Sequence, residues 1–260
     1  MIRKFYTLYL RLPMLARLLV IIFIIITMGA AAARVAEPET FPSYFEAFYW
    51  TVITVGTVGY GDYAPESTAV RILAMLLVFF GGAFLAFFTV HLASAVVKKQ
   101  QGLLEGKMKF IDKNHCIIVG WNERSKETIS NLMEQDHGTN IVMIDSTLNH
   151  NPLYHEGIHF VKGSPVVDST WKDAGIKEAK TILITADQSL SESDADMQTI
   201  LSILAARGMN PSIKIAAEIL TLEQTANSRR AGADILIQTS RITSEAMTSV
   251  LGSGTMGNND

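Results

Sequence analysis

The chain has 260 residues, 48% of them hydrophobic, with 22 basic against 25 acidic side chains and a formal net charge of −3. That balance, without a basic tract, leaves no electrostatic footprint for nucleic acid, and no nucleic-acid partner is expected. The single cysteine, Cys116, excludes an intrachain disulfide; set in the apolar run Cys-Ile-Ile-Val, it reads as a small buried hydrophobe rather than a reactive thiol.

These averages hide two unlike halves. Residues 1–17 carry Arg3, Lys4, Arg11 and Arg17 and no acid, and Leu18 to Ala33 is free of charge. Extended through Leu12–Leu15, this segment predicts a helix over about 12–35, with the roughly 20 residues a bilayer needs. Taken alone, it reads equally well as a secretory signal. The next segment decides for a span, because a loop that re-enters the membrane must hang between two spanning helices.

That segment begins with Ser43 and Glu46, spaced as a capping box, and predicts a short helix over 44–55. Thr57-Val58-Gly59-Tyr60-Gly61 follows, then Asp62. TVGYG is the established potassium-filter sequence. Its physics is still readable. Backbone carbonyls replace the hydration shell of a potassium ion, and aiming successive carbonyls at one axis needs residues with φ > 0, which Gly59 and Gly61 supply cheaply. Thr57, Val58, Gly59, Tyr60 and Gly61 are the expected ion-binding residues, with Thr57 adding its hydroxyl. The short helix points its negative end at the waiting cation. Tyr49 and Trp50 are expected to pack behind Tyr60, with Thr54 and Asp62 completing the support. One chain supplies one wall, so the loop implies a homotetramer.

A second span is predicted over about 69–97, closed by Lys98-Lys99. Residues 34–70 hold Arg34 against Glu37, Glu39, Glu46, Asp62 and Glu66, whereas both flanks are basic. This predicts a multi-pass protein of the plasma membrane with both termini cytoplasmic and an acidic outer mouth. Gly81-Gly82, inside the second span, reads either as close helix packing or as a gating hinge. His91 reads as a packing or pore-lining residue.

Residues 98–113 form a charged linker, and apolar strands then alternate with amphipathic helices. The pattern predicts strands over 115–120, 140–145, 158–161, 181–185, 213–217 and 235–237. Helices are expected over 124–136, 168–174, 194–207, 222–231 and 240–251. Such alternation indicates a doubly wound parallel sheet, whose ligands bind beyond the C-terminal strand ends. The first turn, Gly120-Trp121-Asn122-Glu123-Arg124-Ser125, keeps one glycine of the dinucleotide fingerprint, and Asp145 stands where a ribose-binding acid belongs. Gly120, Asn122, Glu123, Arg124 and Asp145 are therefore candidates for a nucleotide site. Asp187, Glu192, Asp194 and Asp196 are candidates for a divalent cation such as calcium. His155-Glu156-Gly157-Ile158-His159 matches HExxH, but Gly157 and the strand that follows argue against the continuous helix that zinc-protease chemistry needs.

Both halves together resemble the prokaryotic potassium channels with two membrane helices and a cytoplasmic RCK (regulator of potassium conductance) domain. The likeness rests on Tyr49-Trp50-Thr51, Thr54, Thr57 to Asp62 with Tyr63 and Pro65, Gly81, Gly120-Trp121 and Ala231-Gly232-Ala233-Asp234. It implies a membrane α-helical pore domain over 1–97, an RCK N-terminal lobe over 114–260 and no enzyme activity. It also implies RCK domains paired in a ring, where extra soluble copies can be made from an internal start, for which Met108 stands in place. Gly81 is favoured as the hinge on this ground. The sequence departs from relatives at Ile53, where some carry a glutamate pairing with the filter aspartate. It departs again at Gly163-Ser164-Pro165, where calcium-gated relatives have Gly-Asp-Pro. The C-terminal lobe of longer relatives is expected to be missing. Two other readings stay open: a membrane-anchored nucleotide-dependent oxidoreductase, and the pore subunit of a potassium transporter.

Overall fold

A computed structural model describes residues 12–135 and 138–253. The expected basic residues Arg3, Lys4 and Arg11, the Asp136 end of one predicted helix and the chain end at Asp260 lie outside the described residues. The chain divides into two compact units, residues 1–98 and 99–260.

The first unit holds α1 (Met14–Ala36), α2 (Tyr44–Val55) and the greater part of α3 (Thr68–Leu104). Helix α1 starts after Pro13, whose fixed φ of −60° suits a helix entry. Both α1 and α3 are long and apolar enough to cross a membrane. Their outward residues, Phe23, Met28, Phe79 and Val90 among them, are exposed hydrophobics suited to lipid or to another subunit. Phe41, Ala47, Trp50, Val55, Val70 and Leu77 form the core between the helices. Lipid tails are as apolar as this core, so close packing and not water exclusion holds it. The Phe41–Trp50 ring pair, 5.0 Å between centroids, adds about 0.5–1.5 kcal/mol.

Helix α3 is unbroken through Gly81-Gly82 and runs to Leu104, so the first part of the expected linker is helical. It ends in a Schellman turn, with Gly106 N–H donating to Leu103 O and Lys107 N–H to Gly102 O.

The second unit is built on a parallel sheet of β1 (Cys116–Val119), β2 (Ile141–Asp145), β3 (His159–Lys162), β4 (Thr181–Ile184), β5 (Lys214–Ile219) and β6 (Ile235–Gln238). The strand order β3-β2-β1-β4-β5-β6 puts the topological switch between β1 and β4. The connecting helices are α4 (Glu123–Gln135), α5 (Asp168–Asp173), α6 (Glu192–Met209), α7 (Thr225–Ala231) and α8 (Thr239–Ser253). Helix α7 starts three residues later than expected, because Leu222-Glu223-Gln224 is taken up by a turn. Alternation along β1 sorts the core: Ile117 and Val119 pack with Trp171, Ile182, Ile203 and Ile215 on one face. Ile118 packs with Ile129, Met143 and Phe160 on the other.

Candidate functional site: a carbonyl filter and a nucleotide-type cleft

Helix α2 begins at Ser43, which accepts from Phe45 N–H at 3.2 Å. The expected capping box is altered: the Ser43 hydroxyl donates to the Glu46 carboxylate, so the two side chains pair with each other. At its other end the helix is tied to the candidate filter segment, residues 57–61. Gly56 N–H donates to Val52 O at 2.8 Å, Thr57 N–H to Thr54 O at 3.1 Å and Val58 N–H to Ile53 O at 2.9 Å. These bonds satisfy helix-end carbonyls and fix where the strand departs.

From there the backbone alternates. Thr57, Gly59 and Gly61 have φ of 57°, 56° and 78°, while Val58 and Tyr60 between them do not enter the left-handed region. A Cβ on either glycine would meet nothing within 4 Å, so the demand there is conformational and not steric. Thr57 takes the same conformation with a side chain, at a cost of about 1–2 kcal/mol. Only Thr57's place in the odd-numbered series hints at that cost in the sequence. Val58 is 55% and Tyr60 72% exposed in the single chain.

Of the residues expected to support the strand, Trp50 packs on Phe41 and Tyr49 on Tyr63, with 6.3 Å between the latter centroids. Tyr49 turns its phenol to the Asp62 carboxylate, which supplies the partner that Ile53 does not. Asp62 also accepts from Tyr63 N–H at 3.2 Å. Glu37, unremarked in the sequence except as an outer acid, is buried and accepts from the Glu66 and Ser67 amides at the start of α3. Gly81 lies against Val55 at the end of α2: a Cβ there would stand 2.8 Å from Val55 Cγ1. One on Gly82 would meet nothing within 4 Å.

In the second unit a cleft of about 520 Å³ opens beyond β1 and β4, lined by Gly120, Asn122, Asp145, Thr185, Asp187 and Gln198 among others. A Cβ on Gly120 would lie 2.5 Å from Thr185 Oγ1, so the turn admits no side chain. Asn122 fills the place where the fingerprint has its next glycine. Its Oδ1 accepts from Ser125 N–H at 3.0 Å and its Nδ2 donates to Thr185 Oγ1 at 3.1 Å. Asp145 accepts from Trp121 N–H at 2.9 Å, and from Thr147 N–H and Leu148 N–H at 2.7 and 2.9 Å. It therefore holds two loops together, as a strand-end cap does. Glu123 lines the cleft mouth. Arg124 instead leaves it for the buried Glu218, donating from Nη2 at 3.0 Å. Glu218 and Gln198 escaped the sequence reading; a glutamate inside the apolar run Ile-Ala-Ala-Glu-Ile was the available signal for the first.

The acidic run does not converge. Asp187 accepts from Ser189, Asp194 pairs with Ser191, and the fully buried Asp196 accepts from Leu220 and Thr221 amides. Glu192 is an exposed residue of the first turn of α6. Among the described residues no three His, Cys, Asp or Glu side chains gather as a metal site. His155 lies in a 3₁₀ turn ended by Gly157 and His159 in β3, so HExxH does not form one helical face.

An ion-channel family profile matches residues 14–98, and a TrkA-N domain profile matches residues 116–239. YugO of Bacillus subtilis, provisionally named a potassium channel protein, is 38% identical over 92% of this chain and 73% of its own. The chain belongs to the bacterial potassium channels with an RCK-type TrkA-N domain. The calcium-gated potassium channel TvoK of Thermoplasma volcanium is 28% identical over 78% of this chain and 58% of its own. The solved GsuK channel shares the fold at 20% identity, with a TM-score of 0.63, over 88% of this chain and 42% of that one. The chain thus spans less than two thirds of TvoK and of that GsuK chain.

Proposed function

We propose that four copies of this chain form a potassium-selective channel of the plasma membrane, passive and non-enzymatic, gated by a ligand on its cytoplasmic RCK domains. Both termini are cytoplasmic and the RCK domains pair in a ring. The observation that carries the reading is the left-handed backbone at every second residue, Thr57, Gly59 and Gly61. Alternating handedness turns successive carbonyls toward one side, which suits a row of oxygen cages once four strands meet. The exposed Val58 and Tyr60 are the surfaces that such an assembly covers.

The regulatory ligand belongs in the cleft beyond β1 and β4, and a nucleotide is the class that fits. GsuK has been solved bound to NAD and to ADP. Here Gly120 provides the tight turn, and Gln198 Oε1, on the cleft wall, is buried without a hydrogen-bond partner among the described residues. An amino or hydroxyl donor of a nucleoside satisfies it. Asp145, already accepting from three amides, contributes shape more than recognition. The dispersed carboxylates of the acidic run give calcium less support, although TvoK is named as calcium-gated.

The test is flux in liposomes. Potassium is expected to pass far faster than sodium, Gly61→Ala to lose conduction or selectivity, and ADP or NAD to raise the melting temperature of the purified protein. Equal sodium flux ends the channel reading; no thermal response to nucleotides ends the assignment of the cleft.

A further inference from the structure

We infer that residues 104–110 form a rigid strap locked onto the open edge of the sheet, and that Gly106 is the positioning residue through which the RCK domain holds the end of α3. The inference rests on the channel reading above, but its structural half stands without it.

Strand β3 is the outer strand of the sheet, so its unpaired side offers free backbone groups. The strap takes up one of them: Lys162 N–H donates to Gly106 O at 2.9 Å. Two residues earlier in the strap, Leu104 O accepts from Asn151 N–H, in the loop after β2, at 2.7 Å. Asn151 is itself buried and anchored, its Nδ2 donating to Ile158 O at 2.8 Å and its Oδ1 accepting from Leu153 N–H at 3.0 Å. Further along, His159 Nε2 donates to Met108 O at 2.9 Å, and Phe110 N–H donates to Asp173 O at 2.8 Å. Met108 also folds its side chain back onto Gly102 in the last turns of α3, 3.2 Å from where a Cβ would stand.

Gly106 is where this lock admits no substitute. Its φ is +66°, and a Cβ would lie 2.5 Å from Lys162 N and 2.7 Å from the Phe160 ring, in backbone and core that cannot yield cheaply. A bland explanation exists: glycine ends many helices at this position of a Schellman turn. That accounts for the φ and not for the contacts, since the turn alone leaves Cβ space open. Gly157 is the control, with φ of +79° in the same unit and nothing within 4 Å of a Cβ. A tether that only joined two domains would need neither the edge-strand bond nor the clearance. A strap that passes motion from domain to helix needs both, because slack absorbs displacement.

The experiment uses the full-length protein reconstituted in lipid, with two readouts. Amide exchange reports the lock: Lys162 and Asn151 are expected to be protected like sheet interior in the wild type. In Gly106→Ala, Lys162 is expected to exchange rapidly. Bilayer recording reports its use: Gly106→Ala is expected to change open probability by about threefold or more at unchanged unitary conductance and selectivity. Gly157→Ala is expected to alter neither readout. Fast exchange of Lys162 in the wild type overturns the strap, even if Gly106→Ala fails to fold or no current is seen. Wild-type open probability in Gly106→Ala, with Lys162 deprotected, overturns its role in gating. Absence of potassium current in the wild type with Lys162 protected counts against the channel reading and leaves the lock supported.

Discussion

The ring of Phe110 lies against that of His115, 4.4 Å between centroids, and 5.2 Å from His159 on β3. Both histidines give a ring N–H to a backbone carbonyl, His115 to Ala174 and His159 to Met108. The other nitrogen of His115 is buried with no partner among the described residues. Burial lowers the pKa of both below the ordinary value of 6.5, against the carbonyl bonds, which act the other way. Asp112 also favours the charged form of His115, and His159 opposes it. A lowered pKa means the unfolded chain takes up protons first. Stability is thus complete above about pH 6.5 and is lost as pH falls from there toward the folded values, by at most about 1.4 kcal/mol per pH unit per histidine. Melting curves of the purified channel between pH 8 and pH 5 should fall along this line, and His115→Phe should flatten part of the slope.

Gly81 and Gly82 should part company. A methyl on Gly81 drives into Val55 at 2.8 Å, a clash worth about 1–3 kcal/mol, while one on Gly82 meets open space. Gly81→Ala is expected to lower thermal stability in detergent and Val55→Ala to restore part of it; Gly82→Ala is expected to be near neutral. If bending at this pair opens the pore, both alanines should also lower open probability, whatever their effect on melting.

The pair of Arg124 and Glu218 is asymmetric. Glu218 is buried and also accepts from Ala186 N–H at 2.9 Å and from the Thr239 hydroxyl, whereas Arg124 is partly exposed. Removing the arginine strands a buried charge, a loss of about 3–5 kcal/mol by precedent. Glu218→Gln keeps an acceptor for Ala186 and should cost less. Chemical denaturation of Arg124→Met, Glu218→Gln and the double variant measures this, and the double should sit above the arginine variant in stability.

Glu37 ties the end of α1 to the start of α3. Burial pushes its carboxyl up, but the side chain and amide of Ser67, the Glu66 amide and Thr40 outweigh that and hold the pKa below its ordinary 4.5. The stability it contributes is present above that value and is lost as pH falls through the lowered one. Glu37→Ala is expected to destabilise the protein by about 1–3 kcal/mol, through unmet amides at the start of α3. Melting at pH 7 against pH 3.5 should show the wild type converging on the variant in acid.

The two long apolar helices, the left-handed Gly59 and Gly61 and the alternating sheet are legible because each is encoded locally. Charge-free runs, a five-residue motif and period-two apolar strands need no tertiary information. What depended on partners was not legible. Tyr49 packs on Tyr63 and Trp50 on Phe41 by contacts between elements that no spacing rule encodes. The four carboxylates after β4 look like a cation site in one dimension, yet Asp187 and Asp194 bond nearby serines, Asp196 bonds the amides of Leu220 and Thr221, and Glu192 is exposed. Asp145, at the end of β2, accepts from amides of two loops, and which loops it joins is set by the fold and not by its position in the chain. Thr57 in a left-handed conformation goes against residue preference, so no propensity rule places it there.

The bond between Gly106 and Lys162 bears on what an internal start at Met108, if one were used, would produce. A polypeptide begun there would lack residues 104–107 and with them the carbonyls that cover Asn151 and Lys162. Such copies would carry a bare, sticky sheet border, prone to recruit a neighbouring strand or to aggregate. Tethered and free domains sharing one ring would then be chemically distinguishable at that border, and only the tethered kind would be sealed by its own chain.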